Sequence, residues 1–167
     1  MLGFSRRVFM KAGESLPSVH VFEGTPKNAV DIREVFGKGK GILIGVPGAF
    51  TPGCHATHIP SFLKDFDALK KKGVQTVACV AVNDVFVMSA WKDALHTDGK
   101  IRMLADPEAK LVKALGMDFA GLVEILGNVR SKRFTAVIED GKIKSVQVEP
   151  DNTGLTCTLA GSLLSSL

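Results

Sequence analysis

Tyrosine is absent from this chain, and Trp91 is its one tryptophan. Basic side chains are therefore not interleaved with aromatic ones able to stack on bases, and no nucleic-acid-binding motif occurs. A nucleic-acid partner is not expected. No apolar run reaches the roughly 18 residues needed to cross a bilayer, so no membrane-spanning role is expected either. Cysteine is scarce: Cys54, Cys79 and Cys157 are the only three, and no Cys-x-x-Cys pair occurs. An odd, widely spaced set is not a disulfide framework. It also lacks the second ligand pair of a structural zinc site, so no metal is expected. Such thiols suit a reducing, intracellular compartment in which any disulfide is transient and catalytic. No haem, flavin or nucleotide motif is present, and no cofactor is expected.

What is present describes one domain. The chain has 167 residues, 46% hydrophobic and 23% charged, enough to bury its own core. Its formal net charge of +4 is spread along the whole length, with clusters at Lys70-Lys71-Lys72 and at 130–133. The lysine run suits the end of a helix. Residues 1–11 read as a flexible N-terminal extension: Arg6, Arg7 and Ser5 without an acid fit a presequence remnant and equally an untidy terminus. The closing Ser165-Ser166-Leu167 resembles a peroxisomal Ser-Lys-Leu signal without its basic middle residue. Cytoplasm, mitochondrion and peroxisome all stay open.

Residues 41–46 (GILIGV) and 74–82 (VQTVACVAV) are continuous apolar runs of strand length, as in strands buried on both faces. Shorter strands are expected at 19–22, before the turn cluster 23–26, and at 101–105. From 54 to 72, Ile59, Phe62, Leu63, Phe66 and Leu69 fall at helical spacing, ended by Gly73. Pro60 inside this pattern predicts a kink and a semi-independent first turn around Cys54. Residues 85–96 read as an amphipathic helix, and Asp106-Pro107 as the start of a helix reaching Leu115. Strands at 134–138 and 143–148 are joined across Asp140-Gly141, a hairpin signal. The polar loop 149–154 leads to a last short helix, and 116–132 shows no clear pattern. The result is an α/β domain over 12–167 with a mixed central sheet flanked by helices. A hairpin closing a βαβ-built sheet is the thioredoxin-like architecture, which alone says little about chemistry.

The chemistry concentrates in 47–54 (PGAFTPGC), between a buried strand and a helix, where open α/β sheets place their sites. Thr51 suits an N-cap and Pro52 the first helical position. Gly53 lets a small ligand approach backbone N–H groups. Cys54 then lies in the first turn, where unpaired N–H donors and the helix dipole stabilise a thiolate, the form a nucleophile needs. Cys79, centred in VACVAV, reads instead as a buried and inert small hydrophobe. His55 points away from Cys54, whereas His58, four residues on, shares its face. A cysteine hydrolase would need further partners that are not seen, so both histidines read as surface or packing residues.

The pattern Pro-x-x-x-Thr-x-x-Cys, filled by Pro47, Thr51 and Cys54, resembles the signature of the peroxiredoxins. With VNDVF at 82–86 and DNTGLTC at 151–157, the chain is similar to the type V, atypical two-cysteine branch from about Ala12 onward. This resemblance implies that Cys54 is a peroxidatic thiolate, oxidised to a sulfenic acid. It implies that Thr51 hydrogen-bonds the thiolate or peroxide, that Pro47 shields the sulfur, and that Arg133 stands over it with donors for a polarised peroxide. Arg130 and Lys132 read as solvated charges. Backbone N–H groups of Gly53 and Cys54 would bind the second peroxide oxygen. Cys157 is implied as the resolving thiol, forming an intramolecular disulfide with Cys54 once a first turn loosened by Pro60 unwinds. The implied substrates are hydrogen peroxide, alkyl hydroperoxides and peroxynitrite, the implied reductant is thioredoxin, and a monomer or non-covalent homodimer is allowed. Two alternatives stay open: a non-enzymatic redox sensor with Cys54 as its switch, and a one-cysteine peroxidase in which Cys157 is structural.

Overall fold

A computed structural model describes residues 10–167. Of the extension expected over 1–11, all but Met10 and Lys11 lies outside these residues. Met10 is packed: its N–H donates to the Leu115 carbonyl at 2.9 Å and its side chain joins the core.

The elements run β1 (His20–Glu23), β2 (Thr25–Asp31), α1 (Ile32–Phe36) and β3 (Lys40–Gly45), then a π-helical turn (Cys54–His58). There follow α2 (Ile59–Lys64), α3 (Phe66–Lys71), β4 (Val74–Ala81), α4 (Val85–Leu95), β5 (Arg102–Ala105) and α5 (Lys110–Ala114). The chain closes with β6 (Asp118–Phe119), α6 (Val123–Leu126), β7 (Arg130–Ser131), β8 (Phe134–Glu139), β9 (Lys142–Val148) and α7 (Ala160–Leu164). Among the described residues, seven strands form one sheet in the order β2-β1-β5-β4-β3-β8-β9, and β6 pairs with β7 apart from it. β3, β4 and β5 are parallel, while β8 and β1 border them antiparallel. This is the expected mixed sheet of a thioredoxin-like fold.

The apolar runs of β3 and β4 serve two core layers at once. Ile42, Ile44, Cys79 and Ala81 face one side with Phe62, Met88 and Trp91, while Leu43, Ala78 and Val80 face the other with Phe36 and Leu111. Alternation along a pleated strand sends neighbours to opposite faces, so helices on both sides bury both sets. Gly45 pairs with Phe134 across β3 and β8, and a Cβ at Gly45 would overlap the Phe134 ring. Glycine there lets the ring lie over β3. It sets the preceding residue, Arg133, beside the carboxyl end of β3.

Three local features differ from expectation. β2 (TPKNAVD) is an exposed edge strand without apolar alternation, so no hydrophobic pattern announced it. The helix expected from Asp106-Pro107 begins only at Lys110, because Ala109 takes a left-handed φ of 57°. The Asp106 carboxylate accepts from the Val112 N–H at 3.0 Å, capping α5 from a distance. The long helix expected over 54–72 is divided, with a second break at Asp65. Its irregular first turn is as expected. Pro60 has no N–H for the carbonyl four residues back, and Ile59 donates instead to the Cys54 carbonyl five back, widening the turn to π geometry. The hairpin turn is as read: Asp140 and Gly141 adopt φ of 51° and 77°.

Candidate active site

The loop leaving β3 carries Pro47 and Gly48 buried and Thr51 half-buried. It is pinned to the end of β4 where the Ala49 N–H donates to Asn83 Oδ1 at 3.0 Å. The Thr51 carbonyl accepts the His55 N–H at 2.9 Å, so helical bonding begins at Thr51 as its N-cap reading requires. Its hydroxyl does not cap. It donates to the Gly48 carbonyl at 2.8 Å, closing the loop on itself and keeping acceptor capacity on the oxygen. Phe50 is held at φ 63° and half-exposed, its ring stacked on His55 with centroids 5.6 Å apart. His55 Nδ1 accepts from Trp91 Nε1 at 3.0 Å, so that imidazole is engaged away from Cys54, as its spacing implies.

Cys54 is fully buried at the first position of the π-helical turn. Arg133, only 3% exposed, donates through Nη1 to Cys54 Sγ at 3.3 Å and to His58 Nδ1 at 3.0 Å. Its Nε donates to the Thr153 carbonyl at 3.0 Å, and its backbone N–H to the Asn152 carbonyl at 2.7 Å. The guanidinium is thus held by the 149–154 loop from one side and meets the sulfur on the other. A Cβ on Gly53 would stand 3.0 Å from Arg133 Nη2, so glycine keeps the mouth of the site open beside the guanidinium. The structure brings Cys54, Gly53 and Arg133 together. Thr51 and Pro47 lie on the same loop, but no hydrogen bond joins the Thr51 hydroxyl to the sulfur in this state.

Two sequence readings need correction. His58, taken as a surface or packing residue, is fully buried and bonded at both nitrogens: Nδ1 to Arg133, and Nε2 to the Thr158 carbonyl at 3.0 Å. Arginine only donates and a carbonyl only accepts, so Nε2 carries the proton and the ring is neutral. Burial, and then the positive charge of Arg133, lower its pKa from 6.5 to about 4. The spacing from Cys54 did place His58 on the right face; the arginine 75 positions on was the missing partner. Arg130, taken as a solvated charge, donates to the carbonyls of Val82 at 2.7 Å and Leu126 at 2.5 Å. It straps 116–132 to the end of β4. Lys132 is half-buried.

All three cysteines are free thiols. Cys79 is buried on β4, and burial pushes its thiol up, which suits its reading as inert. Cys157 is half-exposed, its Sγ donating to the Val148 carbonyl at 3.5 Å. Burial, and then the Glu149 carboxylate nearby, raise its pKa.

Glu149 itself escaped the sequence reading. One oxygen accepts from the N–H groups of Thr156, Cys157 and Thr158 at 2.8, 2.9 and 3.1 Å, and from the Thr158 hydroxyl at 2.8 Å. The other accepts from the Thr156 hydroxyl at 2.6 Å. Burial opposes its charge, but these donors outweigh it and hold the carboxyl at about 2. The available signal was an acid followed at short range by two threonines flanking a cysteine.

A buried thiol at a helix start, with an arginine donating to its sulfur on a thioredoxin-like sheet, defines a thiol-based redox enzyme. Residues 11–163 match the redoxin family. The chain is 38% identical to peroxisomal membrane associated protein 20 of Schizosaccharomyces pombe, across 93% of this chain and 97% of that protein. The crystal structure of peroxiredoxin 5 from Alvinella pompejana superposes with a TM-score of 0.83 at 43% identity, covering 94% and 97% of the two chains. Reduced Prx3 of Vibrio vulnificus in complex with hydrogen peroxide gives 0.84 at 36% identity, covering 95% and 99%. The chain belongs to the peroxiredoxins within the redoxin family and is a thiol-dependent peroxidase.

Proposed function

We propose that this peroxidase reduces hydrogen peroxide, alkyl hydroperoxides and peroxynitrite through Cys54, resolves through Cys157, and is recycled by thioredoxin. The observation that carries this reading is the contact of Arg133 Nη1 with Cys54 Sγ at 3.3 Å in a buried setting. This contact aims the guanidinium's donors at the sulfur and at the place where peroxide must sit. The thiolate attacks one peroxide oxygen: an S–O bond forms, the O–O bond breaks, sulfur is oxidised and the peroxide reduced. The departing oxygen leaves as water from hydrogen peroxide or an alcohol from an alkyl hydroperoxide, taking up a proton, and as nitrite from peroxynitrite. Arg133 and the N–H groups of Gly53 and Cys54 stabilise its developing charge. Thr51, its proton already given to Gly48, offers a lone pair to the peroxide O–H, and Pro47 keeps water from the sulfur.

The Cys157 thiol then attacks the sulfenic sulfur, forming the S–S bond as the S–O bond breaks and water departs. Thioredoxin, a dithiol, returns both sulfurs to thiols by exchange. The disulfide lies within one chain, so a monomer or a non-covalent homodimer serves equally. Three unpaired thiols suit a reducing, intracellular compartment, and a relative named as peroxisomal keeps the peroxisome beside cytoplasm and mitochondrion.

The test is one equivalent of hydrogen peroxide on the reduced protein, with free thiols and intact mass followed together. Rapid loss of two thiols and about 2 Da from a monomeric species is expected. Oxidation as slow as that of free cysteine refutes the assignment of Cys54. Cys157→Ser should keep the first oxidation and lose thioredoxin-supported turnover; turnover intact in that variant favours the one-cysteine alternative.

A further inference from the structure

A carboxylate that is 1% exposed is costly to bury unless its lone pairs are filled, and Glu149 fills them with five donors. Three of those donors are the consecutive backbone N–H groups of Thr156, Cys157 and Thr158. Residues 156–158 belong to no helix or strand, so the backbone around Cys157 takes its shape from this carboxylate. The same segment reaches the peroxidatic side: the Thr158 carbonyl accepts from His58 Nε2, and His58 Nδ1 accepts from the arginine that meets Cys54 Sγ. His58 closes the π-helical turn that Cys54 opens. That turn is irregular, widened to π geometry ahead of a proline, whereas the Cys157 segment is bonded to the carboxylate at every residue.

We propose that Glu149 is a positioning residue for the resolving step, holding Cys157 as the stationary half of the disulfide while Cys54 comes to it by opening of the π-helical turn. The proposal rests on Cys157 being the resolving thiol. In that step the Cys157 S–H bond and the Cys54 S–O bond break, the S–S bond forms, and the proton leaves with the hydroxyl as water. Without the carboxylate, the 156–158 segment samples other conformations and the sulfenic acid waits longer for its partner. A waiting sulfenic acid meets a second peroxide and becomes a sulfinic acid.

Glu149→Gln keeps the side chain's volume and an oxygen for the three N–H groups, but loses the charge that strengthens those bonds and puts an NH2 where the second oxygen accepts from the Thr156 hydroxyl. In single-turnover quenched flow with a sulfenic-acid trap and mass detection, Cys54 oxidation should stay within about twofold of the parent. Disulfide formation should slow by about tenfold or more, with sulfinic acid appearing at lower peroxide. Thr158→Val, which loses one hydroxyl donor, should slow the same step, and Thr158→Ser should restore it. The Thr158 pair carries the test if Glu149→Gln does not fold, as thermal melting would show. A disulfide formed at the parent rate in Glu149→Gln or Thr158→Val overturns the proposal. So does an equal fall of both steps, which marks general damage to the fold. Cys157→Ser run in parallel separates the two levels: an intramolecular disulfide that still forms there overturns the resolving role itself.

Discussion

Lowering the pH from 7 to 4 sets His58 against its surroundings. In the folded protein its ring is buried, neutral and beside Arg133, with its pKa lowered from 6.5 to about 4. The unfolded chain therefore takes up the proton first. The stability contributed by the neutral ring is present in full above pH 6.5, drains away as pH falls, and is lost through about 4. At about 1.4 kcal/mol per pH unit across that window, the loss amounts to roughly 3 kcal/mol, a large share of a small domain's margin. Glu149 acts in a different window. Its pKa is lowered from 4.5 to about 2, so its contribution is intact above 4.5 and lost only as pH falls toward 2. The assay is urea denaturation at pH 7, 6, 5 and 4.5 on the parent and on His58→Gln. Glutamine offers an acceptor to Arg133 and a donor to the Thr158 carbonyl without titrating. The parent should lose about 2 kcal/mol more than the variant over that range. Parallel loss in the two proteins would refute the account of His58.

Arg133→Met removes the donor to Cys54 Sγ and leaves His58 Nδ1 unpaired, so peroxide reaction should fall by about a hundredfold or more, read by competition kinetics. Gly53→Ala puts a Cβ 3.0 Å from Arg133 Nη2; Cys54 oxidation should slow by about tenfold with denaturation midpoints little changed. Arg130→Ala releases the carbonyls of Val82 and Leu126 and should cost roughly 1–3 kcal/mol in urea denaturation.

The parts of this protein legible in its sequence are those written in local pattern. Two buried runs gave β3 and β4 to within a residue, Asp140-Gly141 gave the hairpin, and Pro60 gave the irregular turn around Cys54. Where the pattern is carried by distant partners, it was silent. His58 at i+4 looked like packing until Arg133 came to lie against it, and Glu149 looked like a loop acid until three residues turned their N–H groups onto it. Arg130 shows the same limit, since a guanidinium seeking backbone carbonyls has no sequence signature. β2 was missed because edge strands need no apolar face, and α5 began late because a left-handed alanine is not written in composition.

The indole of Trp91 donates to His55, a residue of the turn proposed to open when Cys54 meets Cys157. No other tryptophan and no tyrosine is present. Emission from this chain is therefore the signal of a single fluorophore, with an imidazole of the active-site turn as its hydrogen-bond partner and Phe50 6.4 Å away. If the turn opens as proposed, the indole loses that partner and its emission should change. The protein would then carry its own optical label for that motion, readable in a stopped-flow cell without a dye or an engineered probe.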